Sequence, residues 1–311
     1  MSMESVHDVI VLGGGPAGCT AALYCARSGL DVLILERLCA GGQMALTGRV
    51  DNYPGFETGV DGFTLGEKMR KTAWRFGAAM KLAEVRSAAL TGPVKTFGTS
   101  EGTFRSRAAI LAAGAVPKPL DVPEERAFLG RGVHYCAACD GMAYRDKVVA
   151  VVGGGNSAVA DALLLSRLCK RVILVHRRDT LRAEQVLQAP LFRRENVEFR
   201  WDSAVTGLLH GEHLDGLCLR SLKTGAESML ACDGVFVSIG RRPATDLFRA
   251  ELALDDSGYV LADETTRTGL PGVFAAGDLR TKSLRQIVTA VSDGAMAAHF
   301  AAAYLSESAV P

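Results

Sequence analysis

The chain has 311 residues, 48% of them hydrophobic, enough for a substantial core and, on length alone, for about two domains. Its 35 basic and 34 acidic side chains leave a formal charge of +1, so no electrostatic field gathers nucleic acid or anionic lipid, and neither is expected as a partner. No apolar run reaches the roughly 18 residues that span a bilayer, and the start MSMESVHDVIVLGGG has neither the basic nor the long apolar stretch of a secretory signal; a cytoplasmic location is expected.

The first predicted elements are the strand in VIVLGGGPAG, a helix in AALYCARSGL and a second strand, VLIL, ending at Glu36. Between strand and helix, Gly13, Gly15 and Gly18 stand in G-x-G-x-x-G spacing. The glycines permit a tight turn and close backbone approach, and the helix start offers free N–H groups to a pyrophosphate. Glu36 is placed to accept hydrogen bonds from an adenosine ribose. Further on, RAAILAAGAVPKPL reads as a strand followed by a turn at Ala112, Ala113 and Gly114.

Next comes HYCAACDG, with Cys136 and Cys139 three apart and Asp140 directly after them. Zinc needs four ligands and the chain has no second C-x-x-C, so no metal site is expected. An inert bridge over three residues would remove little unfolded-state entropy. The remaining chemistry is a redox dithiol, in which one thiolate attacks a disulfide and the other resolves the mixed disulfide. Cys19, Cys25, Cys39, Cys169, Cys218 and Cys232 have no partner at motif spacing and read as packing residues.

Shifted by 140 residues, the first unit returns without a gap as VVAVVGGGNSAVADALLLSRLCKRVILVHRR: Gly13, Gly14 and Gly15 fall on Gly153, Gly154 and Gly155, Ala22 on Ala162, Arg27 on Arg167. The position of Glu36 is taken by His176, followed by Arg177 and Arg178. An acid would repel a ribose 2′-phosphate, whereas arginines bind it through forked, charge-assisted hydrogen bonds. Arg182 lies four residues beyond Arg178, so a helical turn there would bring the three guanidiniums together. NADP(H) is the expected second nucleotide.

GVFVSIGRRPAT closes this unit, and GVFAAGD, ending in Gly277 and Asp278, precedes a helical pattern running to Leu305. With Pro117, Pro119 and Pro243 marking crossings, the expected fold is α/β with two Rossmann-like dinucleotide-binding domains. Residues 118–245 would be inserted into a discontinuous domain of residues 1–117 and 246–311, through a two-linker hinge.

GGGPAG (13–18), GGQ (41–43), DNYPGF (51–56), CAACDG (136–141), GGGNSA (153–158), HRRDTLRA (176–183), AAGD (275–278) and RQIVTA (285–290) together resemble the low-molecular-weight, FAD-containing NADPH thioredoxin reductases over nearly the full length. The resemblance implies that Gly13, Gly15, Pro16, Ala17 and Gly18 bind the FAD pyrophosphate and Glu36 its ribose. Gly42, Gln43 and Asn52 would lie at its flavin end, Ala113 and Gly114 at a turn beside it, and Gly277 and Asp278 at the ribityl chain, with Arg285 and Gln286 by the isoalloxazine. Gly153, Gly155, Asn156, Ser157 and Ala158 would cradle the NADPH phosphates, and His176, Arg177, Arg178 and Arg182 would select its 2′-phosphate. It also implies that Cys139 faces the flavin, Cys136 attacks the partner and Asp140 manages protons. Thioredoxin or a thioredoxin-like protein would be the substrate, the domains would rotate between half-reactions, and the chain would form a homodimer.

Bland alternatives stand beside several of these roles: turn caps for Gln43, Asn52 and Asp140, a surface ion pair for Arg285, an ordinary polar neighbour rather than a proton relay for His134. The sequence also departs from the family. DGMAYR replaces a stretch like DGFFYR, so Ala143 gives up an aromatic contact to the docked partner, and CAAC lacks the threonine of CATC. A flavin dithiol oxidase of the same fold is the rival enzyme, but such relatives lack the arginine cluster. A redox-sensing binding protein would not need intact Cys136, Cys139 and Asp140.

Overall fold

The strands that build the two central sheets are short β-branched runs, such as VIVL and VVAVV, that are apolar at every position, as parallel strands covered on both faces must be. The computed structural model describes residues 6–47 and 49–307. In chain order the strands and α-helices are β1 (Val6–Leu12), α1 (Pro16–Arg27), β2 (Val32–Glu36), α2 (Gly62–Arg75), β3 (Ala79–Leu82), β4 (Val85–Ala89), β5 (Lys95–Thr99), β6 (Gly102–Leu111) and β7 (Ala115–Pro117). Then come β8 (Val133–His134), α3 (Ala137–Asp140), β9 (Val148–Val152), α4 (Asn156–Leu165), β10 (Arg171–Val175), α5 (Gln185–Phe192), β11 (Val197–Arg200) and β12 (Ser203–His210). The last are β13 (Leu214–Ser221), β14 (Glu227–Ala231), β15 (Gly234–Val237), β16 (Arg241–Pro243), β17 (Val273–Ala275) and α6 (Ile287–Glu307).

The chain divides into two units, Met1–Val116 with Arg242–Pro311, and Pro117–Arg241. In the first, the sheet runs β3-β2-β1-β6-β5-β4, with β17 alongside the C-terminal half of β6. β1, β2, β3, β6 and β17 are parallel, while β4 and β5 form an antiparallel extension. The two-residue period of the strands separates two cores. Val9, Val11, Val32, Ile34, Ala108 and Ile110 pack under α1 and α6, and Ile10, Leu12, Leu33, Leu35, Ala109 and Leu111 pack on the other face with Phe97, Phe248 and Leu252. α6 crosses α1 at Gly294, where any Cβ would collide with the Ala17 carbonyl.

The second unit has a five-stranded parallel sheet, β11-β10-β9-β15-β8, and a separate antiparallel meander, β12-β13-β14. Val149, Val151, Val172 and Leu174 face α4 and α5, while Ala150, Val152, Ile173 and Val235 face Leu214, Leu217 and Leu219 of the meander. The result is three layers with the helices on one side only. The linkers β7 and β16 pair with each other. The repeat is exact at the site-forming end: α1 and α4 begin 140 residues apart, each directly after the third glycine of its loop.

Candidate active site

The C-x-x-C motif sits where β8 turns into α3. Ala137 is buried in the helix-side core, which anchors the turn, while Cys139 is exposed and Cys136 half-buried. Cys136 and Cys139 form a disulfide with their Cα atoms 5.3 Å apart. Cys136 is the N-cap of α3, and its Sγ accepts the backbone N–H of Cys139 at 3.1 Å. Donation of this kind favours negative charge on that sulfur once the bond opens. Elsewhere burial suppresses thiolate formation, pushing the thiols of Cys19, Cys25 and Cys232 up to about 12 and that of Cys169 to about 11. Those four are packing residues in chemistry as well as in position.

Asp140 closes α3 and makes no side-chain cap at the turn that follows. Its Oδ2 lies instead 3.1 Å from Nδ1 of His134. His134 pairs in register with Phe236 of β15 and its ring stacks on the Phe236 ring with centroids 5.3 Å apart. On its far side Nε2 meets the Tyr144 hydroxyl at 2.8 Å. Tyr144 of DGMAYR and Phe236 of GVFVSIGRRPAT fix this arrangement, and no spacing signal in the sequence ties either side chain to His134.

The first glycine loop is shaped by the protein itself at two positions and left open at a third. Gly13 has φ +105°, and a Cβ there would meet the Ala112 carbonyl; a Cβ on Gly18 would meet the Gly13 carbonyl. Gly15, the N-cap of α1 ahead of Pro16, has ordinary φ of −73° and nothing within 4 Å of a built Cβ. Glu36 is tied to the loop: Oε2 accepts the Gly14 N–H at 2.6 Å and Oε1 the Leu38 N–H at 2.8 Å. Three further segments converge here. Gly42 approaches Gly15, with a built Cβ 3.3 Å from its Cα, the Gln43 amide donates to the Ala115 carbonyl at 2.7 Å beside Ala113 and Gly114, and Gly277 packs on Ala17, a built Cβ lying 3.0 Å from the alanine's. Asp278 is half-buried next to it.

Asn52 and Gln286, expected separately at the flavin end, are joined by a 3.1 Å hydrogen bond from Asn52 Nδ2 to Gln286 Oε1. Arg285 is no surface ion pair. Its guanidinium lies 3.7 Å from the Tyr259 ring centroid, one amino group donates to the Arg280 carbonyl, and the buried Nε has no hydrogen-bond partner among the described residues. Beneath, Asp293 accepts from the Gly277 N–H at 2.9 Å and pairs with buried Arg280 and Lys282.

The second loop repeats the first. Gly153 takes φ +147° and its N–H donates to Val175 O at 3.0 Å, as Gly13 donates to Leu35 O at 2.9 Å. Gly155, like Gly15, has nothing within 4 Å of a built Cβ. Gly154 lies directly against the His176 ring. His176 is buried, its Nε2 has no hydrogen-bond partner among the described residues, and burial followed by the Arg182 charge pushes its pKa down. Asn156 exchanges two 2.8 Å hydrogen bonds with Glu184, Ser157 is exposed and Ala158 buried. No helical turn forms over residues 177–182, since α5 starts only at Gln185. Arg182 reaches the loop through its backbone, donating to the Gly154 carbonyl at 2.7 Å, and Arg177, Arg178 and Arg182 all expose their side chains. The unmotivated pair here is Asp161 of α4 with Ser238 at the end of β15, whose hydroxyl donates to the carboxylate.

The open Cβ directions at Gly15 and Gly155 and the partnerless buried nitrogens of Arg285 and His176 fit two dinucleotides with anionic groups, one for each unit. The chain matches the pyridine nucleotide-disulphide oxidoreductase family over residues 7–294. It is 45% identical over 307 residues to a thioredoxin reductase of Listeria monocytogenes, covering 98% of this chain and 96% of that one. It is 44% identical over 308 residues to a bifunctional thioredoxin reductase/thioredoxin of Mycobacterium leprae, covering 98% of this chain and 67% of the relative. The crystal structure of Lactococcus lactis thioredoxin reductase superposes with a TM-score of 0.92 at 38% identity, covering 97% of this chain and 99% of that one. Two similar glycine loops and an isolated C-x-x-C, carried on a backbone of that shape, place the chain: it belongs to the pyridine nucleotide-disulphide oxidoreductases and, among them, to the thioredoxin reductases.

Proposed function

We propose that the protein is an NADPH-dependent flavoenzyme that reduces the disulfide of thioredoxin, with FAD in the first unit and NADPH in the second. The observation that carries the reading is the Cys136–Cys139 pair, a disulfide beside a carboxyl group, in the unit whose second glycine loop is flanked by His176, Arg177, Arg178 and Arg182. Bound NADPH and FAD supply the electron pair, as hydride from the nicotinamide and then through the flavin.

In the first unit Gly15 and the start of α1 would face the FAD pyrophosphate, and Arg285, Gln286 and Asn52 its flavin end. In the second, Gly155 with Asn156 and Ser157 would face the NADPH phosphates, and the exposed guanidiniums of Arg177, Arg178 and Arg182 would take the 2′-phosphate. That cluster favours NADPH reduction over a flavin dithiol oxidase.

Two electrons open the Cys136–Cys139 bond. Cys136, its charge stabilised by the Cys139 N–H, attacks one sulfur of the partner's disulfide, forms a mixed disulfide and displaces a partner thiolate that takes up a proton. Cys139 then attacks Cys136, which restores the internal bond and releases the second partner thiolate, also to be protonated. Two electrons and two protons thus reach the partner, with Asp140 the group placed to hold or give a proton. Thioredoxin as that partner is supported by the relative that is both reductase and thioredoxin. The enzyme works as a cytoplasmic homodimer.

The test is direct. Holoprotein mixed with NADPH should lose its visible flavin absorbance and then reduce a thioredoxin from the same cell. Persistent flavin colour would defeat the reductase reading, whereas bleaching without thioredoxin reduction would defeat only the partner.

A further inference from the structure

Asp140 is half-exposed, with its side chain 41% accessible, yet it leans on one of the most buried polar side chains of its unit, His134 at 5%. The imidazole has no freedom to follow the carboxylate. It is stacked on Phe236 and meets Tyr144 edge-on with centroids 5.1 Å apart. Tyr144 in turn lies on Gly234, where any Cβ would overlap its ring. Burial, and then the charges of Asp140 and Asp233 and the Cys232 thiol, push the Tyr144 hydroxyl up. The phenol therefore keeps its proton, and its oxygen lies 2.8 Å from His134 Nε2. A carboxylate only accepts, so a neutral imidazole paired with Asp140 at 3.1 Å carries its hydrogen at Nδ1 and offers Nε2 as an acceptor to the phenol.

The geometry points to His134 as a positioning residue for Asp140: the buried ring, itself oriented by Tyr144, sets where the carboxylate lies beside the Cys136–Cys139 pair. The inference rests on the dithiol chemistry proposed above. A carboxylate on a four-residue helical turn otherwise samples several rotamers, and proton transfer to a departing thiolate needs the group within hydrogen-bond reach.

Two substitutions separate position from packing. His134→Asn keeps an amide near the place of Nδ1, whereas His134→Gln extends toward the Tyr144 hydroxyl and withdraws from Asp140. Holoenzyme turnover is measured with thioredoxin and, in parallel, with lipoamide, a small cyclic disulfide whose leaving thiolate also needs a proton. Each rate is divided by NADPH-driven reduction of ferricyanide, which bypasses the dithiol. His134→Gln should lower the kcat ratio about tenfold with little change in disulfide KM, and His134→Asn should return it to within about threefold of the native value. Added to Asp140→Asn, His134→Gln should cost nothing further, because both changes remove the same function. Equal losses for the asparagine and glutamine variants, or losses that multiply in the double variant, would overturn the inference. If the native enzyme reduces lipoamide and not thioredoxin, the partner reading fails and the His134 comparison is decided in the lipoamide arm.

Discussion

The Cys139 backbone N–H donates to Cys136 Sγ across 3.1 Å, inside the turn that their own disulfide closes. A backbone amide aimed at Cys136 Sγ supports the proposed role of Cys136 as the thiol that attacks the partner. Cys139→Ser should therefore accumulate a covalent complex with thioredoxin through Cys136, seen on a non-reducing gel and located by mass spectrometry. Cys136→Ser should accumulate none. Both should lose thioredoxin turnover by at least about 10³-fold.

Glycines of one loop should fail in different ways. Gly18→Ala drives a Cβ into the Gly13 carbonyl, so it should cost about 2 kcal/mol or more in unfolding free energy. Gly15→Ala meets no atom of the described residues within 4 Å, and its apoprotein should stay within about 1 kcal/mol of the native chain. That chain should nevertheless purify with several-fold less flavin per protein, read from the ratio of visible to ultraviolet absorbance.

The arginine cluster proposed to take the 2′-phosphate predicts a preference between nucleotides. Arg177→Ala combined with Arg178→Ala should raise the KM for NADPH about 10- to 100-fold, the loss of one or two charge-assisted hydrogen bonds. KM for NADH, which has no 2′-phosphate, should move less than about threefold by the same reasoning. Equal losses for both coenzymes in steady-state assays would remove the arginines from recognition.

Asp161 offers a test by pH. Burial pushes its carboxyl up from the ordinary 3.8, against the opposing hydrogen bond from Ser238 and the Arg241 charge. A carboxyl whose folded pKa is raised contributes stability that is complete below the unfolded value and is lost as pH climbs through the folded one. At neutral pH the buried charge is a burden, so Asp161→Asn, which keeps a partner for the Ser238 hydroxyl, should melt a few degrees higher than the native chain at pH 7. The gap should narrow as pH falls toward the ordinary 3.8 and close below it, where the carboxyl is protonated in both states. Melting curves of both proteins across that range would check the sign.

Both βαβ units were legible in the sequence because their signals are local: a glycine turn, a helix beginning after it, a second strand ending in an acid or in His-Arg-Arg. The in-register shift of 140 residues made the second unit readable from the first. The meander β12-β13-β14 was not, since its alternation names no partner, and only its contact with Val235 and Ile173 gives Leu214 and Leu217 a place. Spacing left open whether a helical turn gathers Arg178 and Arg182; the segment is not helical, and the Arg182 backbone donates to the Gly154 carbonyl. In the site, resemblance assigned Asn52 and Gln286 one by one, yet their hydrogen bond spans 234 positions and no spacing rule reaches so far. His134 was ambiguous for the same reason: its contact with Asp140 depends on the register of β8 against β15 and on a tyrosine ten residues on.

Gly234 carries a consequence for how harmful substitutions in this chain are diagnosed. It stands almost a hundred positions from the cysteines and touches neither, so a survey sorted by distance from the sulfurs would file it with the scaffold. Yet the bare face it presents is the seat of the Tyr144 ring, and a methyl group added there would first tilt a phenol, then free an imidazole, and so reach the chemistry by way of two aromatic neighbours. On the role inferred for His134, a lesion at Gly234 should lower turnover with both cysteines still in place.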